Sequence, residues 1–468
     1  MKSRYSIHLL KYLFAVFMAA TIHSASSFAQ VTFTESSPKR EVRAIWLTTL
    51  NGMDWPHTYA QSASSVEEQK KELCHLLDLY QQAGINTVLL QTRIRGTVIY
   101  PSAYEPWDKC LSGTSGCSPD YDPLAFAIDE CHRRGMELHV WIVTMPAGKW
   151  NGPGCINLRK KFRNLIKRIG DEGYMNPEDS RTGDYLTKIC TEITEKYDID
   201  GINLDYIRYP EDWKRKVSED QGRQYITSIV QKIHDAVKSL KPWVKMSCSP
   251  IGKYSDLPRS MSYNWNAYDR VCQDAQEWMH KGLMDELFPM MYFRDNNFYP
   301  FAMDWEENDY GRIVAPGLGI YFLSPEEQNW PLTDITREME VLRQIGLGYT
   351  FFRSKFFTDN IKGIYNFTKN FNISPALVPI MTWEHKVPTD TVYNIYVSDH
   401  YPVDINNSRN LVIGRLPKKE MEKYLIKISP WHYAITEMDR FGYETPWIEK
   451  RSYRQDAEKK LKKVGIIR

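Results

Sequence analysis

The chain has 468 residues, of which 42% are hydrophobic and 25% charged, and its formal net charge is +2 at pH 7. These proportions are ordinary for a globular protein, and the length suits a barrel of about 250 residues or more with an accessory module. Nucleic-acid binding depends on phosphate neutralisation by cations, so a nearly neutral chain argues against a nucleic-acid partner.

The first 29 residues have the three parts of a secretory signal peptide. Lys2, Arg4 and Lys11 accompany the apolar run Tyr12–Ala20, and small residues offer a cleavage site after Ala29. The run is shorter than the roughly 20 residues that cross a bilayer. We therefore expect an exported protein, periplasmic or secreted, with no stable membrane span. Its net charge would become −1, because the removed segment carries three cations and no acids.

Between residues 41 and 372, eight strand-like segments alternate with amphipathic helical segments. Near-continuous apolar strands are typical of parallel sheets covered on both faces. The strand–helix order favours a (β/α)8 TIM barrel over a sandwich, and no GxGxxG follows a strand to support a doubly wound dinucleotide fold. The predicted strands are Val42–Thr49, Asn86–Thr92, Glu137–Thr144, Gly201–Asp205, Val244–Ser249, Glu286–Tyr292, Ile313–Ile320 and Leu347–Phe352. The predicted helices include Val66–Ala83, Pro123–Arg134, Arg181–Tyr197, Glu219–Leu240, Tyr268–Lys281 and Thr333–Ile345.

From about Pro375 the helical periodicity gives way to short β-type runs. The pattern predicts a small all-β sandwich domain over residues 375–447 that resembles a fibronectin type III module. Its strands would be Ile380–Glu384, Val392–Val397, Leu411–Arg415, Leu425–Ile428 and Trp431–Met438. The chain thus divides into a signal peptide (1–29), a linker (30–40), an α/β barrel (41–372), this domain and a charged tail (448–468).

The eight cysteines and eleven histidines show no metal-binding pattern. No CxxC or HExxH motif is present, so we expect neither a metal site nor a cofactor. Cys110 and Cys117 bracket a Gly/Ser loop, and we expect them to form a disulfide in an exported chain.

The end of the fourth predicted strand is the leading candidate for chemistry, because TIM barrels place their active sites at the C-terminal strand ends. Because successive side chains of a strand point to opposite faces, Asn203 and Asp205 should lie on the same face, directed into the barrel. The nearby cation Arg208 is expected to lower the pKa of Asp205 and keep it ionised, which suits a nucleophile or base. The structural alternative is an Asp that merely ends the strand in an ion pair with Arg208.

Glycoside hydrolysis needs a second carboxylic group across the scissile bond. Asp295 follows the sixth strand, Glu105 lies on the long loop after the second, and Asp54 is a weaker candidate. Glu105 could instead pair with Arg93 or Arg95, and Asp295-Asn-Asn is typical of a turn. The choice between Asp295 and Glu105 stays open.

The same rim is rich in aromatic and cationic side chains. The pair Arg93 and Arg95 could bind the carboxylates of an acidic sugar, or could neutralise acids of the site. Aromatic rings pack against sugar rings, although a buried Trp is as often part of a core. The predicted substrate-binding residues are Arg93, Arg95, Trp107, His139, Trp141, Asn203, Tyr206, Arg208, Tyr292 and Tyr321.

Seven blocks between about residues 40 and 355 follow, in order, the pattern of one family. They are Glu41–Trp46, Gly84–Arg93, Tyr100–Trp107, Tyr121–Leu124, Arg134–Trp141, Asp200–Pro210 and Ser249–Gly252. They resemble the glycosyl-hydrolase-like family 10 of exported bacterial proteins. The resemblance implies a TIM-barrel glycosidase that acts on a bacterial or host glycan, and some relatives act on peptidoglycan strands stripped of their peptides.

The resemblance also implies functional roles at matched positions, and in related barrel superfamilies a strand-four Asp is commonly the nucleophile. These positions are Arg93, Glu105, Trp107, His139, Asp205, Tyr206, Arg208 and Ser249. The chain departs from the pattern twice. Many relatives carry two successive acids where it has Asp205-Tyr206, and a Gln-type residue in the sixth strand where it reads Pro289–Tyr292.

The sequence thus predicts an exported glycoside hydrolase that cleaves a polysaccharide, such as peptidoglycan glycan strands, by a two-carboxylate mechanism. The alternative is a non-catalytic glycan-binding protein that uses the same aromatic rim. A metal-dependent deacetylase on a similar barrel is disfavoured, because the chain has no paired-His motif.

Overall fold

The structure, a computed structural model, describes residues 37–428 and 431–452. The segment predicted as a signal peptide, most of the predicted linker and residues 453–468 of the predicted tail lie outside this range. Within it, none of the helices combines the length and the apolarity that a membrane span requires.

Eight parallel strands form a barrel that closes on itself. They are β1 (Arg43–Leu47), β2 (Thr87–Arg93), β3 (Glu137–Val143), β4 (Gly201–Asp205), β5 (Lys245–Cys248), β6 (Glu286–Leu287), β7 (Ile313–Val314 and Gly317–Leu318) and β8 (Tyr349–Phe351). The first part of β7 pairs with β6 and the second part with β8, which in turn pairs with β1. The predicted TIM barrel is therefore confirmed, with all eight strands in the predicted places.

Helices follow the strands. The longer ones are Ala63–Gln82, Pro123–Arg133, Pro153–Lys161, Ser180–Lys196, Glu219–Leu240, Tyr299–Glu307, Leu332–Gln344 and Ile364–Phe371. Four short helices are Lys109–Ser112, Ala267–Val271, Ala275–His280 and Ser354–Thr358. The single helix predicted over Tyr268–Lys281 is wrong, because Cys272 takes up a left-handed conformation (φ 54°) that separates two short helices.

Local signals set where the helices begin. The side chain of Ser62 accepts a hydrogen bond from the backbone N–H of Ser65, and a reciprocal bond completes a capping box. Asp122 caps the helix that begins with Pro123, a residue suited to the first helical position. Ser218 likewise caps the long helix after β4. These residues explain why helix positions were predictable from sequence.

Aromatic side chains fill the upper part of the barrel interior. Trp46 of β1 and Trp141 of β3 are buried and meet edge to face, with ring centroids 4.8 Å apart. Phe288 and Phe352 lie against Trp46 at 6.1 Å and 6.5 Å. Rings of this size and geometry make a rigid packed layer rather than a pore.

A three-stranded antiparallel sheet lies in the loop between β3 and β4. Its strands are Pro146–Lys149, Ile166–Ile169 and Glu172–Met175, with the last in the middle. No strand was predicted here, because each is only four residues long and lacks a clear alternation of apolar and polar residues. The sheet follows the C-terminal end of β3, so it stands at the same end of the barrel as Asp205.

The C-terminal part is antiparallel β structure, as predicted. Its strands are β9 (Val392–Ser398), β10 (Leu411–Leu416), β11 (His432–Met438) and β12 (Glu444–Lys450), in the order β10-β9-β11-β12. The fibronectin type III-like sandwich is not confirmed. Among the described residues this part forms one sheet with a helix, Lys418–Ile428, packed on it.

Three details of the C-terminal prediction are corrected. Leu425–Ile428 ends a helix instead of forming a strand, because Met421, Leu425 and Ile428 recur at helical spacing and cover the sheet core. Ile380–Glu384 forms no strand. β12 continues to Lys450, beyond the predicted domain end at residue 447.

Ion pairs of two buried arginines join the C-terminal sheet to the N-terminal end of the barrel. Arg415 donates to Asp200, just before β4, at 2.7 Å and contacts Glu137, at the start of β3, at 3.0 Å. Arg440 pairs with Asp198 at 2.8 Å. This interface lies at the end of the barrel opposite the candidate site.

The predicted disulfide between Cys110 and Cys117 is not formed, and all eight cysteines are free thiols. Cys110 is buried on the short helix Lys109–Ser112, whereas Cys117 is exposed. The loop therefore places the two sulfurs in different environments.

Candidate active site

The carboxylate of Asp205 is buried at the C-terminal end of β4 and is held by donors from three strand ends. Its Oδ2 accepts a hydrogen bond from Nε1 of Trp141 on β3 at 2.9 Å. Its Oδ1 accepts from the backbone N–H of Tyr206 at 2.9 Å and from Oγ of Ser249, just after β5, at 3.0 Å. An indole N–H and a backbone N–H can only donate, so Asp205 is held as an acceptor, which suits a nucleophile or base.

Burial raises the pKa of Asp205 above its usual range. The hydrogen bonds from Trp141 and Ser249 and the charge of Arg208 oppose this effect without reversing it. The charge of Arg208 acts in the predicted direction, but the expectation of a lowered net pKa is wrong. The Arg208 guanidinium pairs with Glu211 at 2.8 Å, and the desolvation of Asp205 outweighs its more distant charge. A raised pKa makes the carboxylate a stronger base.

Tyrosines surround the outer side of Asp205. The charge of Asp205, followed by burial, raises the pKa of the neighbouring Tyr206 phenol, whose side chain is partly exposed at the rim. Burial and then the charge of Asp205 raise the pKa of Tyr292. Tyr321 meets Tyr292 edge to face at 5.8 Å. Tyr206 and Tyr292 thus lie beside the candidate nucleophile, and Tyr321 lies against Tyr292.

Asn203 supports this arrangement from below. Its side chain is fully buried and donates to Oγ of Ser247 at 3.1 Å, and its Oδ1 lies 3.3 Å from Oγ of Ser249, whose one proton goes to Asp205 at the shorter distance. Ser249 in turn holds Asp205. Asn203 therefore contacts Ser249 and lies too deep to face solvent.

Glu105 and Arg93 form a fully buried ion pair. Arg93 donates to both oxygens of Glu105 at 2.8–3.0 Å, and the phenol of Tyr185 donates to the same carboxylate at 3.1 Å. Arg93 also donates to the backbone oxygens of Val143 and Thr144. Glu105 thus forms the ion pair with Arg93 that was its structural alternative to a catalytic role. The pair holds the loop after β2 against the end of β3.

Asp295 lies on an exposed turn, Asp295–Asn297, with a left-handed φ of 50°. Its charge acts on Glu338 and Tyr299, which belong to outer helices, rather than on Asp205. Asp295 therefore has the structural role in a turn that was predicted as the alternative to a catalytic role. Asp54 is also committed elsewhere, because it pairs with Arg353 and accepts from the backbone N–H of Thr48.

The remaining predicted residues divide between the rim and the interior. Arg95 is at the rim, 3.2 Å from Glu172 of the three-stranded sheet, and Trp107 packs half-buried against the core. His139 is different. Its β3 position pairs with Gly201, whereas Asp205 pairs with Val143, so His139 lies about 13 Å below the rim. At that depth Nε2 of His139 lies 3.0 Å from a carboxylate oxygen of Glu137. His139 is therefore not part of the candidate site.

The family model described as glycosyl hydrolase-like 10 matches residues 41–225 and 214–316, a region that contains β1 to β6 and Asp205. The chain belongs to the glycosyl hydrolase-like 10 family. A relative named glycosyl hydrolase YngK, from Bacillus subtilis strain 168, is 29% identical over 386 residues, which cover 74% of each chain. Glycosyl hydrolase DigH from Escherichia coli K12 is 28% identical over 295 residues, 56% of this chain and 67% of that protein.

A solved structure supports the fold of this glycosyl hydrolase-like 10 chain. The glycoside hydrolase domain of PgaB (BpsB) from Bordetella bronchiseptica superposes with a TM-score of 0.50 at 12% identity. The likeness covers 71% of this chain and 98% of that domain. The family and the names of its relatives support glycoside hydrolase activity.

Two rim acids of this glycosyl hydrolase-like 10 chain were not predicted. Glu211 pairs with Arg208 and is half-exposed, and its charge acts on the phenol of Tyr206 beside Asp205. Glu172 pairs with Arg95. Glu211 could have been found by examining acids in the loop after β4, six residues beyond Asp205. Glu172 lies in a sheet for which the sequence carries no clear strand signal.

Proposed function

We propose that the protein is an exported glycoside hydrolase that cleaves glycosidic bonds in peptidoglycan glycan strands, with Asp205 as nucleophile or base. The observation that carries the proposal is the buried Asp205 carboxylate, fixed by donors from Trp141, Tyr206 and Ser249 at the C-terminal end of the barrel. Family membership supports the reaction class. The choice of peptidoglycan and export rests on the sequence resemblance and on the signal-like N-terminal segment.

The surroundings of Asp205 suit an oxocarbenium-like transition state. The fixed carboxylate needs little reorganisation when positive charge develops at the sugar, and its burial strengthens that interaction. Tyr206 and Tyr292 offer ring faces and hydroxyl groups beside it. Each of these groups is in place before substrate binds.

Glu211 is the acid that we assign as the second carboxylate. Glu105 is occupied on both oxygens by Arg93, and Asp295 faces outer helices. Glu211 is half-exposed, lies at the rim beside Tyr206 and needs only to leave Arg208 to reach a substrate. Once it has left Arg208 and taken up a proton, it would donate that proton to the leaving-group oxygen while Asp205 acts on the sugar, and water would supply the hydroxyl that completes hydrolysis.

The direct test is the release of soluble sugar from purified peptide-free glycan strands. Asp205→Asn should lower kcat by about 10³-fold or more, because the carboxylate is lost while its shape is kept. Asp295→Asn is the matched control and should retain activity. Unchanged sugar release by Asp205→Asn, with wild-type folding, would refute the assignment.

A non-catalytic glycan-binding protein is the second candidate. It is favoured by the commitment of Glu105 and Asp54 to buried ion pairs, which removes two acids from the set of partners for Asp205. This candidate predicts that the wild-type protein binds glycan strands and releases no sugar. The same assay therefore separates the two functions.

A further inference from the structure

Two grooves at the rim lie on either side of Trp213. The first has a volume of about 540 Å³, and its lining includes Glu211, Tyr263 and Trp265. The second, of about 550 Å³, lies between the loop after β4 and the three-stranded sheet. Because these loops all follow the C-terminal ends of β3, β4 and β5, both grooves open at the end of the barrel that carries Asp205.

The first groove is connected to the candidate site through Glu211. Glu211 lines it and pairs with Arg208, whose charge acts on Asp205. Along this groove Tyr263 is 52% exposed and Trp265 is 41% exposed. Large aromatic rings held at the surface in a groove are suited to stacking on sugar rings.

The second groove is cationic. Lys167, Lys214 and Lys216 line it, are exposed, and form no ion pair with any described residue. Arg168 adds a fourth cation, and the acids of the lining are Asp212 and Glu178. Exposed ammonium groups without partners in a concave surface attract anionic groups of a ligand.

We propose that the two grooves form one extended cleft for a carboxylate-bearing glycan strand. The first groove stacks sugar rings, and the second, the lysine groove, binds carboxylates of sugars farther along the strand. The inference rests on the proposed glycosidase function and adds where the carboxylates of the strand bind, in a groove apart from Asp205. Trp213, which lines both grooves, forms the wall that the strand crosses.

Binding by the full chain carrying Asp205→Asn tests the cleft without cleavage. The probes are peptide-free peptidoglycan strands and the same strands with their carboxylates reduced to alcohols. Adding Lys214→Gln and Lys216→Gln should weaken binding of the carboxylated strands about threefold to tenfold and leave binding of the reduced strands unchanged. The loss should shrink at high salt, because exposed charges are screened.

The matched control is the pair Lys71→Gln and Lys188→Gln. Both lysines are exposed, form no ion pair among the described residues, and line neither groove. Their replacement should leave both affinities unchanged. Trp265→Ala should weaken binding of both strand forms alike, because stacking does not depend on the carboxylate.

The outcomes separate this inference from the proposed function. Equal affinity for carboxylated and reduced strands, or an equal loss in the Lys71 and Lys188 control, overturns the lysine groove. Failure of the wild-type protein to release sugar overturns the hydrolase proposal and leaves the binding result intact. A polyuronate measured in parallel distinguishes the source of the carboxylate. If it binds more tightly than the strands, the groove recognises a uronic acid rather than the lactyl ether of muramic acid.

Discussion

Nε1 of Trp141 donates a 2.9 Å hydrogen bond to Oδ2 of Asp205, across two neighbouring strands of the barrel. The bond lowers the pKa of the carboxylate against the larger, opposite effect of burial. Trp141 also packs on Trp46, so the donor is fixed by the aromatic layer beneath the rim. The barrel interior therefore controls the basicity and the orientation of the proposed nucleophile.

Trp141→Phe should weaken catalysis and change its pH dependence. Loss of a hydrogen bond to a charged group is worth roughly 1.5–3 kcal/mol, so kcat/KM should fall about tenfold or more. The pKa of Asp205 should rise further, and the acidic limb of the pH profile of kcat/KM should move to higher pH. Trp278→Phe is the control, because it removes a comparable buried bond, to Thr227, on the outer helices. Identical profiles for wild type and Trp141→Phe would contradict the role.

Glu105→Gln distinguishes a structural from a catalytic carboxylate. Removal of one member of a fully buried pair leaves the Arg93 charge without compensation, and should lower the free energy of unfolding by about 3–5 kcal/mol. We expect kcat, measured well below the melting temperature, to stay within about tenfold of wild type. Denaturant unfolding and sugar release check both values. An unchanged stability with a loss of activity like that of Asp205→Asn would instead make Glu105 catalytic.

Glu286 should make stability depend on pH. Burial raises its pKa to about 7, although His139 and Lys245 act in the opposite direction. The folded protein then binds a proton that the unfolded chain releases near pH 4.3, so stability should fall as pH rises from about 4.3 to 7. Glu286→Gln should remove this fall, which is on the order of 3 kcal/mol. Denaturant unfolding at pH 5 and pH 8 checks it. Glu307→Gln, an exposed control, should keep the fall, whereas a fall of the same size in Glu286→Gln would show that another group is responsible.

Arg415→Ala should destabilise the junction between the barrel and the C-terminal sheet. Asp200 and Glu137 would remain buried with fewer charged partners, although Arg440 and Lys245 stay in place, which should cost roughly 1.5–3 kcal/mol of unfolding free energy. Lys423→Ala removes an exposed pair with Glu420 and should change stability by less than about 1 kcal/mol. Comparable melting temperatures for the two variants would show that the junction contributes little.

The strand order and the place of Asp205 were predictable from the sequence. Each barrel strand is a local apolar run, and several long helices have a side-chain cap directly before their own apolar period, as Ser62 and Asp122 show. The position of an acid at the end of a strand is likewise a local feature. Where the local pattern was weak the prediction failed, as at Leu425–Ile428 and in the three-stranded sheet.

The state of the site was decided by tertiary structure. Asp205 meets Trp141, 64 residues away, and Ser249, 44 residues away, and no local pattern encodes those distances. The sign of its pKa shift depends on burial, which outweighs the charge of Arg208. The same holds for the partner acid, since only the folded chain shows that Glu105 is occupied and Glu211 is at the rim. Sequence determined which element each residue belongs to, whereas desolvation and the choice of partner depend on contacts that form when distant strands close into a barrel.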